Sequence, residues 1–109
     1  MDGDTLALLE KARALNSKLF SLPRLQLVSI LAYYAPDGVE FRELKAALKM
    51  TDGKLLSNIY ALEKMGYLKA AKVNVENKTL TAYRLTEEGK LEYARIRAWL
   101  REWLKEGTK

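Results

Sequence analysis

Apolar side chains along this chain recur first with the period of a helix and then, over one stretch, with that of a strand. From Phe41 to Leu68, FRELKAALKMTDGKLLSNIYALEKMGYL, one apolar set is Leu44, Ala47 and Leu48 and a second is Leu55, Ile59 and Leu62. Both follow the three-and-four spacing of a helix with one buried stripe. The pattern predicts a short helix over about Arg42–Leu48, a tight turn, and a longer helix capped by Thr51 and closed by Gly66. Upstream, Leu8, Ala12, Leu15 and Leu19 form a stripe on a first helix, which Asp4 can cap and which should run to about Phe20. Pro23, well placed in a first helical turn, opens a second helix to about Tyr34, presenting Leu27, Ile30, Leu31 and Tyr34. Ala35-Pro36-Asp37-Gly38 reads as a turn and Val39-Glu40-Phe41 as a very short strand.

After Gly66 the period changes. LKAAKVNV and TLTAYRL are partly alternating and rich in Val, Thr and Tyr, and they flank Glu76-Asn77-Lys78, a hairpin tip where Asn77 can take a positive φ. Thr86 caps a final helix over about Glu87–Lys105, with Glu87 and Glu88 in its first turn. On it Tyr93, Ile96, Leu100 and Trp103 are spaced as a heptad seam, with Trp99 on a neighbouring face. The expected class is mainly α with a small β-hairpin (α+β). Residues 1–109 form one continuous domain: an N-terminal helix 1–20, a core 21–85 whose hairpin is 67–85, and a C-terminal helix 86–109. Two helices joined by so short a turn have the geometry of a helix-turn-helix, whose second helix, here 51–65, is shaped for the DNA major groove.

Composition narrows the chemistry. The 109 residues contain no cysteine and no histidine. Disulfides, thiolate metal sites, the commonest general base and the commonest metal ligand are all missing. Glu40, Glu43 and Glu63 sit among helical charges and read more simply as solvated or ion-paired than as acid–base groups. With no glycine-rich phosphate loop either, no enzyme activity, cofactor or metal is expected. No apolar run approaches a membrane span, and the N-terminus MDGDTLALLE lacks the basic start of a secretory signal, so a cytoplasmic protein away from the membrane is expected. The net charge is +5, and residues 67–85 carry four bases (Lys69, Lys72, Lys78, Arg84) against Glu76 alone. A basic hairpin beside a groove-reading helix suits a phosphate backbone, although lysines also blunt exposed sheet edges.

Four ordered segments carry a family likeness: Leu44-Lys45-Ala46-Ala47-Leu48, Thr51-Asp52-Gly53-Lys54-Leu55, Leu62-Glu63-Lys64-Met65-Gly66-Tyr67-Leu68, and Tyr83-Arg84-Leu85-Thr86-Glu87-Glu88-Gly89. With the order of elements, they make the chain resemble small MarR/ArsR-like transcriptional regulators, and more narrowly the compact winged-helix proteins of archaea and bacteria. The resemblance covers about Ser21–Leu91. It implies a winged helix-turn-helix with additional N- and C-terminal dimerisation helices, acting as a homodimeric, sequence-specific regulator on double-stranded DNA. The chain departs from the pattern at Lys49, where such turns often carry glycine and a left-handed residue would cost about 1 kcal/mol. It departs again at Leu56, where a small polar residue is common, and at Ser57 and Asn58, which replace bulkier basic or aromatic residues.

With Leu55, Ile59 and Leu62 inward, the opposite helix face offers Lys54, Ser57, Asn58, Ala61 and Lys64 to base edges, and Thr51 can hold a phosphate at the helix start. A merely solvated face would carry similar residues. Lys72, Asn74 and Lys78 of the hairpin would lie along phosphates or the minor groove. Leu8, Leu15, Leu19, Tyr93, Ile96, Trp99, Leu100 and Trp103 offer an apolar surface on the terminal helices, part of which must pack within the chain. The remainder would pair two copies, placing recognition helices ~34–36 Å apart on a palindromic operator. The competing reading is a winged helix used only for protein–protein contact in a larger assembly. No effector can be named from the residues.

Overall fold

A computed structural model describes residues 2–107. The chain folds as α1 (Gly3–Ala12), α2 (Leu22–Tyr33), β1 (Val39–Glu40), α3 (Phe41–Leu48), α4 (Asp52–Lys64), β2 (Leu68–Val75), β3 (Lys78–Leu85) and α5 (Glu87–Gly107), with a 3-10 turn at Ser17–Leu19. This is the α+β order the sequence predicts. Residues 108 and 109 of the expected C-terminal segment lie outside the described residues.

The first helix differs from expectation. It stops at Ala12 instead of running to Phe20, and Asp2 rather than Asp4 caps it, accepting from the Thr5 amide at 2.7 Å. Asn16 explains the break. Its side chain accepts from the Lys18 amide at 3.0 Å, starting the 3-10 turn, and its own N–H donates to Glu92 Oε2 at 2.9 Å. Short polar side chains compete with helical hydrogen bonding in just this way. The stripe survives the break, because Leu8 and Leu19 are both buried.

The sheet is antiparallel with β3 in the middle and β1 and β2 on its two sides. Register runs from Leu68↔Leu85 to Val75↔Lys78 on one side, and Val39 pairs with Tyr83 on the other. The β2–β3 tip is a two-residue turn, Glu76 and Asn77 at φ 50° and 65°. Two consecutive positive φ angles match the twist of a hairpin. Lys78, expected in the tip, is therefore the first residue of β3.

The core is aliphatic. Leu27, Val28 and Leu31 of α2, Leu44 of α3, Leu55, Ile59 and Leu62 of α4 and Ile96 of α5 are all at most 1% exposed. Burying each such side chain stabilises the fold by roughly 1.5–3 kcal/mol. The end of α4 is locked by Gly66 at φ +84°, with the Tyr67 amide donating to the Leu62 carbonyl at 3.0 Å and the Gly66 amide to Glu63 at 2.9 Å. That is the paired 6→1 and 5→2 closure of a left-handed helix cap. Thr86 then joins α5 to that cap: its hydroxyl accepts from the Gly89 amide at 3.0 Å and donates to the Gly66 carbonyl at 2.6 Å. A side chain at Gly89 would collide with the Tyr67 carbonyl, so α5 starts directly against the end of α4. At the other end α1 packs on α5, and Trp99 Nε1 donates to the Leu8 carbonyl at 2.8 Å.

Candidate nucleic-acid interface

The connection from α3 to α4 is tight because Lys49 adopts the left-handed conformation, φ 53° and ψ 46°, without being glycine. Lys45 of α3 and Asp52 of α4 face each other across this turn, 2.8 Å apart. Thr51 caps α4 as expected, accepting from the Lys54 amide at 3.2 Å.

With Leu55, Ile59 and Leu62 buried, α4 presents a polar outer face. Lys54, Ser57 and Lys64 are exposed, as is Thr51, while Asn58 and Ala61 are half-buried. Leu56 is also half-buried rather than projecting freely. Among the described residues no acid pairs with Lys54 or Lys64. Two residues not singled out from the sequence belong to this face. Tyr60 is 61% exposed, one turn from both Ser57 and Lys64, so the i, i+3, i+4 spacing already contained the signal. Arg24, at the start of α2, donates through Nε to Asn58 Oδ1 at 3.1 Å and through Nη1 to the Lys18 carbonyl at 2.8 Å. No local pattern announces that contact, which joins residues 34 apart in sequence.

The hairpin has two unlike pleats. Strand alternation and register put Leu68, Ala70, Lys72 and Asn74 on one side with Leu85, Tyr83, Thr81 and Thr79. Leu68, Tyr83 and Leu85 are buried, so this pleat is the one against the helices. The Tyr83 phenol is held above its ordinary pKa first by burial, then by Glu63 and Tyr60 of α4, and α4 is among the helices packed on β2. Lys72 and Asn74 therefore extend the side on which α4 lies, and Asn74 accepts from the Thr79 hydroxyl at 3.1 Å. Lys78 pairs with Val75 on the opposite pleat, together with Lys69, Ala71, Val73, Leu80, Ala82 and Arg84. The structure thus brings Lys72 and Asn74 together and sets Lys78 apart from them.

The terminal helices are divided in a similar way. Leu8, Leu19 and Ile96 are enclosed by the chain's own packing and have no surface left for a second copy. Leu15, Tyr93, Trp99 and Leu100 are half-buried, and Tyr93 is held by a 2.7 Å hydrogen bond to Ser29. Of the predicted set Trp103 is the most open, and it stacks on Trp99 with ring centres 5.3 Å apart. The free apolar surface here also includes Leu6, Leu9 and Leu104, which the heptad reading passed over. Among the described residues no helix is long and apolar enough to cross a membrane, and no acidic cluster is arranged to hold a metal ion.

Comparison with known proteins adds three findings. Residues 23–104 match the family model described as winged helix DNA-binding domain. An uncharacterized protein of Methanocaldococcus jannaschii is 29% identical over 77 residues, covering 70% of this chain and 82% of that protein. Solved structures share the fold. A transcriptional regulator homologue from Pyrococcus horikoshii superposes with a TM-score of 0.79 at 24% identity, covering 92% of this chain and 96% of that one. MepR of S. aureus in complex with DNA superposes at 0.72 and 15% identity, covering 95% and 84% respectively. A putative MarR-like transcription regulator from Bacillus cereus gives 0.67 at 18% identity, covering 94% and 73%.

Proposed function

Because the chain belongs to the winged helix DNA-binding domain family, we propose that it is a sequence-specific regulator of transcription that binds double-stranded DNA as a homodimer. Helix α4 enters the major groove, and the β2–β3 wing lies on the backbone or in the minor groove. The observation that carries this reading is the continuity of one surface: Lys54 and Lys64 on α4 and Lys72 on the wing pleat that faces it are exposed and have no acidic partner among the described residues. Cations left without acidic partners are available to phosphates. Ser57, Asn58, Tyr60 and Ala61 lie between them to meet base edges, and Thr51 sits at the helix start where a phosphate is favoured. Lys78, beside the wing tip, reaches backbone from the other pleat.

The dimer reading rests on the terminal helices. The radius of gyration is 16.2 Å, against about 13 Å for a compact chain of this length. Leu6, Leu9, Trp103 and Leu104 are left open on this extended body. Two copies joined there would present paired α4 helices to a palindromic operator. Selection of bound sequences from random duplex DNA, with sedimentation of the free protein, tests both parts. A palindromic consensus and a dimer are expected. Absence of salt-dependent duplex binding at low ionic strength would favour the protein–protein module instead.

A further inference from the structure

We propose that the root of the wing, on the side turned away from α4, binds a small phosphate-bearing ligand. Lys69 and Arg84 are directly opposed across β2 and β3 on that pleat. Like charges in such positions destabilise a strand pair, and among the described residues no acid pairs with either. Both line a cleft of about 210 Å³ walled by Ala35, Pro36 and Leu85, into which α5 contributes Lys90. The one carboxylate there is Glu87, 3.1 Å from Lys90 Nζ and itself 86% exposed. Three cations against one acid leave a net +2, which matches the near-dianionic charge of a phosphate group at neutral pH. Arginine supplies the forked donors that phosphate oxygens accept, and a lysine on each side adds point charge.

The position separates this site from the proposed DNA surface. The α4-facing pleat carries Lys72 and Asn74, whereas Lys69 and Arg84 point to the other side, near the turn that ends α2. A duplex resting on α4 meets the first pleat and, through Lys78, the wing tip, but not the wing root where Lys69 and Arg84 lie opposed. A ligand at the cleft would also bridge the two repelling cations and so tighten the base of the hairpin.

The test is titration of the full chain with inorganic phosphate at constant ionic strength, read by backbone amide chemical shifts and by melting temperature. Saturable shifts at Lys69, Arg84 and Lys90 are expected, with a phosphate-dependent rise in melting temperature. Lys69→Gln or Arg84→Gln should weaken binding at least about tenfold without unfolding the exposed site. Arg13→Gln, the same charge change at the end of α1, should leave binding unchanged. Non-saturating shifts spread over all exposed lysines would overturn the proposal, as would equal binding by the Gln variants. If free phosphate fails to saturate but Arg84→Gln loses duplex affinity, the phosphate belongs to nucleic acid and the small-ligand site is refuted.

Discussion

Arg24 holds the side chain of Asn58 in one orientation. Its Nε donates to Asn58 Oδ1 at 3.1 Å, while Asn58 Nδ2 donates to the Lys54 carbonyl at 2.9 Å. Each amide atom still keeps one hydrogen-bonding position. A donor and an acceptor side by side is what a bidentate contact to adenine requires. On the proposed binding mode, Asn58→Ala should reduce discrimination at one base position by about 1–3 kcal/mol. Arg24→Ala should lower the same discrimination by less, and the double variant should be no worse than Asn58→Ala. Competition titrations over single-base operator variants read this. Additive losses would mean that Arg24 contacts DNA independently of Asn58.

The wing should contribute affinity rather than sequence preference. Lys72→Ala is expected to lower the slope of log K against log salt by about one unit for every sequence, and Lys72→Ala with Lys78→Ala by about two. Anisotropy titrations from low to moderate salt measure it. A slope unchanged in the double variant removes the wing from the interface.

Two glycines should behave oppositely. Gly89→Ala drives a methyl group into the Tyr67 carbonyl, so it should destabilise by more than about 2 kcal/mol. Gly53, in the first turn of α4, has open space where a methyl group would project, and Gly53→Ala should gain up to about 1 kcal/mol of helix propensity. Thermal melts distinguish the pair. If α4 docks its first turn against a DNA phosphate, Gly53→Ala will raise the melting temperature while weakening duplex binding.

For the dimer, Leu104→Glu and Trp103→Ala are expected to shift sedimentation toward monomer with little loss of melting temperature. Ile96→Ala should instead lower stability by about 2–5 kcal/mol, because that side chain is fully enclosed in the core. A Leu104→Glu variant that sediments like the parent protein would move the interface elsewhere.

Much of this architecture is written locally in the chain. Thr51, Gly66, Thr86 and Asn77 announce helix ends and a turn through short-range hydrogen bonding or left-handed backbone, and each holds that role in the structure. Lys49 shows the same locality without a glycine to mark it. What stayed hidden is non-local. The end of α1 depends on Asn16 meeting Glu92, 76 residues away. The heptad spacing in α5 does not say whose surface covers each residue: Ile96 is buried in the chain's own core with Leu27, Leu31 and Ile59, whereas Trp103 stays open. Nothing local marks Gly89, whose place is set by the proximity of Tyr67, which leaves room for no side chain there. Division of the wing lysines between two pleats follows from register, which a tip shorter by one residue altered.

The long-range bonds of Asn16 and Trp99 set an order of events during synthesis. Asn16 donates to Glu92 and to the Tyr67 hydroxyl, and Trp99 closes onto Leu8, 91 residues earlier. The first helix leaves the ribosome long before its principal packing surface, α5, exists. It must wait, amphipathic and undocked, until α5 has emerged. Docking of α1 therefore follows synthesis of α5, and a message truncated within α5 yields a first helix without the surface it packs on.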